Sequence, residues 1–165
     1  MNRGVRNIAI MMLLALVWTS AWAASKDRTV DFTGTWKLNA KRSKGYPDWR
    51  PDTVVVVLQS PYQVHFTYFL NPDAVSPFQN YDYVTNGKES KLYATGNEEA
   101  YASARWSNKN VLLVRTHHVV RSEIADTDWT EMDTWTLSDD GKTLTNRQSD
   151  GKIMVYEKSE KDKMY

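Results

Sequence analysis

The sequence has no cysteine at all. Disulfides, thiolate metal sites, a cysteine nucleophile and a lipidated cysteine are therefore excluded. Glycine occurs seven times and proline five times in 165 residues, too sparsely for a low-complexity or collagen-like chain. No apolar run reaches the ~18 residues of a transmembrane helix. Charge of one sign is lacking too, with 21 Lys+Arg against 20 Asp+Glu. Basic residues are scattered rather than clustered, which predicts no nucleic-acid partner and no pull toward anionic lipid. No phosphate loop, nucleophile elbow or cofactor motif is present, so no cofactor is expected.

Histidine is scarce as well: His65, His117 and His118. His117 and His118 are neighbours on an expected strand and point to opposite faces. At most one of them can join His65, so no metal site is expected. The Asp139-Asp140-Gly141 cluster lacks the spaced acidic ligands of a calcium loop and reads as a hairpin turn.

What is present begins with a leader. Arg3 and Arg6 precede an apolar run over 8–17, and Ala21-Trp22-Ala23 supplies small residues at a cleavage position. That is the three-part layout of a secretory signal peptide over 1–23, cleaved after Ala23. The mature chain is then one domain, 24–165, periplasmic or secreted, with no stable membrane span after cleavage. Losing Arg3 and Arg6 leaves a net charge of about −1. With no disulfide available, stability must come from a hydrophobic core, and the length suffices for one.

Ten short β-type segments follow, bounded by turn residues. They lie over 33–39, 53–59, 62–70, 79–85, 91–95, 100–107, 111–124, 129–137, 142–148 and 152–158. TVVVVLQ at 53–59 is rich in β-branched residues, which favour a pleated surface. Asn86-Gly87 supplies a hairpin turn that tolerates positive φ. The segment over 100–107 also suits a helix capped by Asn97, but its Ala102, Ala104, Trp106 alternation favours a strand. No long helix and no crossover connection is expected, so the sheet is antiparallel. The expected fold is all-β: an up-and-down meander closed into an eight- to ten-stranded barrel, since closure removes exposed edges. A two-sheet sandwich is the main competitor. A membrane barrel needs a continuous outer apolar band, which charged residues on both strand faces interrupt.

The run Phe32-Thr33-Gly34-Thr35-Trp36-Lys37-Leu38 resembles the opening strand of the calycins, the superfamily of lipocalins, fatty-acid-binding proteins and avidins. There a Gly-x-Trp marks the first strand and the indole plugs the closed end. The stretch 133–145 (DTWTLSDDGKTLT) and Lys41-Arg42-Ser43-Lys44 resemble those of small secreted bacterial lipocalin-like proteins. The resemblance implies a calycin-like barrel and covers both ends of the mature chain, thinly between them. Two features depart from it. The connection over 40–52 is too short and too Pro-broken for a two-helix lid, and no arginine clearly covers Trp36, Arg147 being the candidate.

Alternation selects the lumen residues. Phe66 and Tyr68 share a face with Val64 and Leu70. Ala102 and Ala104 share one with Trp106, and the register carries Leu112, Val114, Thr116 and His118 inward with them. Glu131 and Asp133 share a face with Trp135 and Leu137. They enter the lumen if the register holds and turn outward if a bulge intervenes. A carboxylate inside would anchor a ligand or form an acid/base pair with His118. Trp49, Tyr81, Tyr83, Tyr93 and Tyr101 are candidate mouth aromatics or core filling. The expected function is binding of a small hydrophobic or amphipathic ligand at Phe66, Tyr68, Ala102, Ala104, Thr116, His118, Glu131 and Asp133. The alternatives are an envelope interaction module without a cavity, and an enzyme using the carboxylate/His pair.

Overall fold

The computed structural model describes residues 30–46 and 50–160. The leader over 1–23, the cleavage position and Trp49 lie outside the described residues. The described chain holds ten strands: β1 (Gly34–Leu38), β2 (Val54–Gln59), β3 (Gln63–Phe69), β4 (Gln79–Val84), β5 (Ser90–Thr95), β6 (Glu98–Asn108), β7 (Val111–Val120), β8 (Thr127–Leu137), β9 (Thr143–Gln148) and β10 (Ile153–Lys158). All belong to one antiparallel sheet in the order β4-β3-β2-β1-β10-β9-β8-β7-β6-β5. The first strand pairs with the last, Trp36 opposite Lys158, and the sheet curls into a nearly closed barrel.

The remaining seam is not where the termini meet. It lies in mid-chain, between β4 and β5, which do not hydrogen-bond to each other. The expected hairpin about Asn86-Gly87 is therefore corrected. The chain crosses the seam there, Asn86 bridges Arg105, and Gly87 N–H donates to the Ala104 carbonyl at 2.9 Å. Asn86-Gly87 thus occupies the slot along β6 that β5 leaves vacant, and β5 turns back to pair Ser90 with Ala102. Gly87, at φ 76°, supplies the left-handed turn this path needs.

Two other expectations change at their edges. The strand over 111–124 stops at Val120, because Ser122 Oγ accepts from the Ile124 and Ala125 amides and folds the chain into a turn. The segment over 100–107 is a strand, extended to Glu98–Asn108. Alternating Ala100, Ala102 and Ala104 are buried along it, so inward packing overrides the helix preference of alanine.

One end of the barrel is solid. The segment before β1 folds across it, Val30 N–H donating to the Lys109 carbonyl and the Gln59 side chain bonding both Val30 and Phe32. Phe32 meets Trp106 edge-on at 5.1 Å. Trp36 is wholly buried and donates its indole N–H to the Phe32 carbonyl. Lys158, not Arg147, covers the Trp36 ring, its Nζ 5.4 Å from the centroid; Arg147 faces outward. Gly34 makes room for that arrangement: at φ 146° a Cβ there would lie 3.1 Å from Lys158 Cε. β2 is buried on both faces. Val55 and Val57 enter the lumen core, while Val54 and Val56 are covered outside by Phe69 and Ala74.

Truncating Trp36 to alanine is expected to destabilise the barrel by about 3–5 kcal/mol, and Lys158→Ala by about 1 kcal/mol or less. Urea midpoints at constant m-value measure both. A loss under about 1 kcal/mol for Trp36→Ala would show that the plug is dispensable.

Candidate functional site

The lumen changes character at one level. Phe66 on β3 and Trp135 on β8 meet across the barrel with ring centroids 4.5 Å apart, and Tyr156 on β10 stacks on Trp135 at 6.1 Å. These rings form a floor. Below it Trp36, Val57, Val64, Leu112 and Leu137 fill the core. Two residues further along β3 and β8, Tyr68 and Asp133 stand above the floor and line a cavity of about 260 Å³. Strand period puts both there, since i and i+2 share a face. Thr116, His118 and Glu131 line it from β7 and β8, Tyr81 and Tyr83 from β4, Tyr93 from β5, and Asn146 and Gln148 from β9. The connection before β2 adds Tyr46, Arg50 and Thr53.

The register that sequence alternation suggests is the one observed. Val114 pairs with Asp133, Thr116 with Glu131, and Ala102 with Thr116. Tyr68, Thr116, His118, Glu131 and Asp133 are brought together around the cavity. Phe66, Ala102 and Ala104 are not among its lining. They lie in the main core cluster with Trp135, so the small alanines leave no space there. Of the mouth aromatics, Tyr81, Tyr83 and Tyr93 line the cavity. Tyr101 instead accepts Lys91 against its ring, and its hydroxyl donates to Glu99. The lining residues missed in the sequence come largely from β9, β10 and the connection before β2. Asn146 was detectable as the inward neighbour of Leu144 on β9.

The three histidines lie apart. His65 pairs with Asp82 at 2.7 Å on the outer face, and His117 lies 3.9 Å from Asp128. His118 alone faces the cavity. Its ring lies parallel to Trp129 at 4.7 Å, and its Nδ1 is 3.3 Å from both Glu98 Oε1 and the Tyr93 hydroxyl. That hydroxyl donates to Glu98 at 2.6 Å. Glu131 Oε2 is 3.7 Å from His118 Nε2, too long for a hydrogen bond, while the Trp129 indole donates to Glu131 Oε1 at 3.3 Å. Among the described residues no group of three His, Cys, Asp or Glu side chains converges as a metal site.

The cavity carries negative charge into a poorly solvated place. Burial pushes the Asp133 carboxyl up from 3.8 to about 6, with the Asn146 amide acting the other way and the Glu131 charge adding to the rise. Burial also lifts Tyr81 to about 12, helped by Asp133, Glu131 and Glu98. Tyr68 and Tyr83 are raised further by the same cause. Several buried polar atoms find no hydrogen-bond partner within the described protein: Asp133 Oδ1, Asn146 Oδ1, His118 Nε2 and Trp135 Nε1. The Asn146 and Gln148 amides favour the Asp133 anion, yet neither reaches Oδ1 with hydrogen-bond geometry. Each buried orphan costs about 1–3 kcal/mol. Such groups concentrate where a site trades stability for recognition.

Compared with known proteins, the sequence matches no family model and no curated protein. No helix among the described residues is long and apolar enough to cross a membrane.

The Asp133 shift has a defined sign. Its folded pKa lies above the unfolded value, so the folded state holds the proton more tightly between pH ~4 and ~6. Its contribution is fully favourable below pH ~4 and is lost as pH rises through 6, and that loss amounts to roughly 3 kcal/mol at neutral pH. Asp133→Asn is expected to raise stability at pH 7 by up to that amount and to leave it unchanged at pH 4. Denaturant titrations at both pH values check this. An equal effect at the two pH values would contradict a raised carboxyl.

Proposed function

We propose that this chain is an exported, calycin-like barrel that holds a small, partly apolar molecule in the open half of its lumen. One observation carries the reading: above a solid aromatic floor, an enclosed wall of tyrosines surrounds buried polar atoms that the protein leaves unpaired. A barrel serving only as a scaffold gains nothing from such atoms, whereas a ligand supplies their missing partners. The volume, about 260 Å³, is below the ~300–1,000 Å³ of drug-sized pockets and suits a compound of one or two rings. The ten-stranded meander and the Trp36 plug are compatible with the calycin architecture. Export rests on the leader pattern over 1–23 and the absence of cysteine.

The scaffold-only alternative needs a continuous apolar patch on the outside. The exposed large apolar side chains of the described residues, among them Leu58, Tyr62, Val75 and Ile124, are scattered over both ends instead.

Native mass spectrometry of protein recovered from its host's envelope is expected to show a carried mass. Thr116→Trp, which fills the cavity, is expected to release that mass while the β-type circular dichroism persists. A bare polypeptide mass in both proteins would remove the lumen-binding reading.

A further inference from the structure

Besides His118 Nε2, two unpaired atoms in the cavity wall are of one kind. Asp133 Oδ1 and Asn146 Oδ1 are both acceptors, they stand on the adjacent strands β8 and β9, and Asn146 is only 2% exposed. The orphan donor nearby, Trp135 Nε1, belongs to the floor, and Trp135 does not line the cavity. Buried acceptors without donors call for a ligand group rich in N–H, and an ammonium offers three donors and no acceptor. A carboxylate or ether would bring more acceptors to a place that already has too many.

The surrounding charge agrees. Glu131 lines the same wall and Glu98 stands at the rim beside Tyr93. Of the two cationic lining residues, Lys152 closes on Asp150 at 2.7 Å, and the Arg50 guanidinium lies over the Phe78 ring at 4.5 Å. Tyr68, Tyr81 and Tyr83 pack as a ring ladder, with centroids 5.9 Å apart at each step. Their faces attract both an apolar ring and a cation.

Building on the lumen-binding reading above, we propose that the cavity takes a small aromatic amine, its ring against Tyr68, Tyr81 and Tyr83 and its ammonium N–H groups on Asp133 and Asn146. Above pH 7 the Asp133 carboxyl is largely ionised, since it titrates near 6, and a protonated amine is its natural counter-ion. Glu131 and Glu98 place two further carboxylates on the cavity wall and rim.

Isothermal titration calorimetry of the purified protein at pH 7.5 and low salt, with three probes that share a phenylethyl group, tests this. The probes are phenethylamine, phenethyl alcohol and 3-phenylpropionate. The amine is expected to bind about tenfold or more tightly than the alcohol, and the carboxylate weakest of all. In Asp133→Asn the amine is expected to fall to within about threefold of the alcohol. Wild-type binding of the alcohol or the carboxylate as tight as the amine would overturn the amine assignment and leave lumen binding standing. Failure of all three probes would overturn the amine assignment, and a bare mass for protein from its host would overturn lumen binding as well. The wild-type comparison decides the matter even if the variant does not fold.

Discussion

Everything above the barrel's midline depends on the contact between Phe66 and Trp135. Two rings from strands on opposite sides of the barrel touch at 4.5 Å and close the lumen. Dispersion and burial of two large rings stabilise the cylinder at its waist. The same contact forces the next inward pair, Tyr68 and Asp133, to a level that no further core residue covers. A carboxylate one step above an aromatic floor loses hydration but gains no buried neighbour to neutralise it. Its raised pKa and the unpaired Oδ1 are thus products of strand period applied above that floor.

The two ends of the barrel stabilise by different means. At the plugged end, polar groups are matched: the Trp36 indole bonds the Phe32 carbonyl, and Gln59 satisfies both Val30 and Phe32. At the open end, matching stops. Tyr93, Glu98 and His118 form a hydrogen-bonded rim, but the wall below it keeps acceptors in excess. Stability concentrated at one end permits that imbalance at the other.

The period-2 signal made much of this legible in the sequence. Alternation from Trp106 through Leu112 to Trp135 gave the inward faces of β6, β7 and β8 up to one open choice, the register of Glu131 and Asp133, which uninterrupted β7–β8 pairing decides as inward. What alternation cannot give is height along the barrel axis. Ala102, Ala104 and Thr116 are all small and inward, yet only Thr116 rises to the cavity, since the level of the floor depends on which rings meet from distant strands. Nor does local sequence reveal seams. Asn86-Gly87 has hairpin chemistry, but β5 is claimed by β6, a competition between partners that no window of residues displays. The cover over Trp36 was not legible for a related reason: the pairing of β1 with β10, which sets Lys158 opposite Trp36, is the pairing of greatest sequence separation.

That pairing, set against the mid-chain seam, has a topological consequence. Apart from β1–β10, each strand pair in the sheet joins strands consecutive in the chain. The cylinder is thus two open fans, β1–β4 and β5–β10, zipped along a single line. Loop-closure entropy makes that zipper the costliest pairing to close. A circular permutant joined near Ser159 and opened at Asn86-Gly87 would convert it into one more hairpin, with the cylinder's existing split becoming the place where the chain starts and stops.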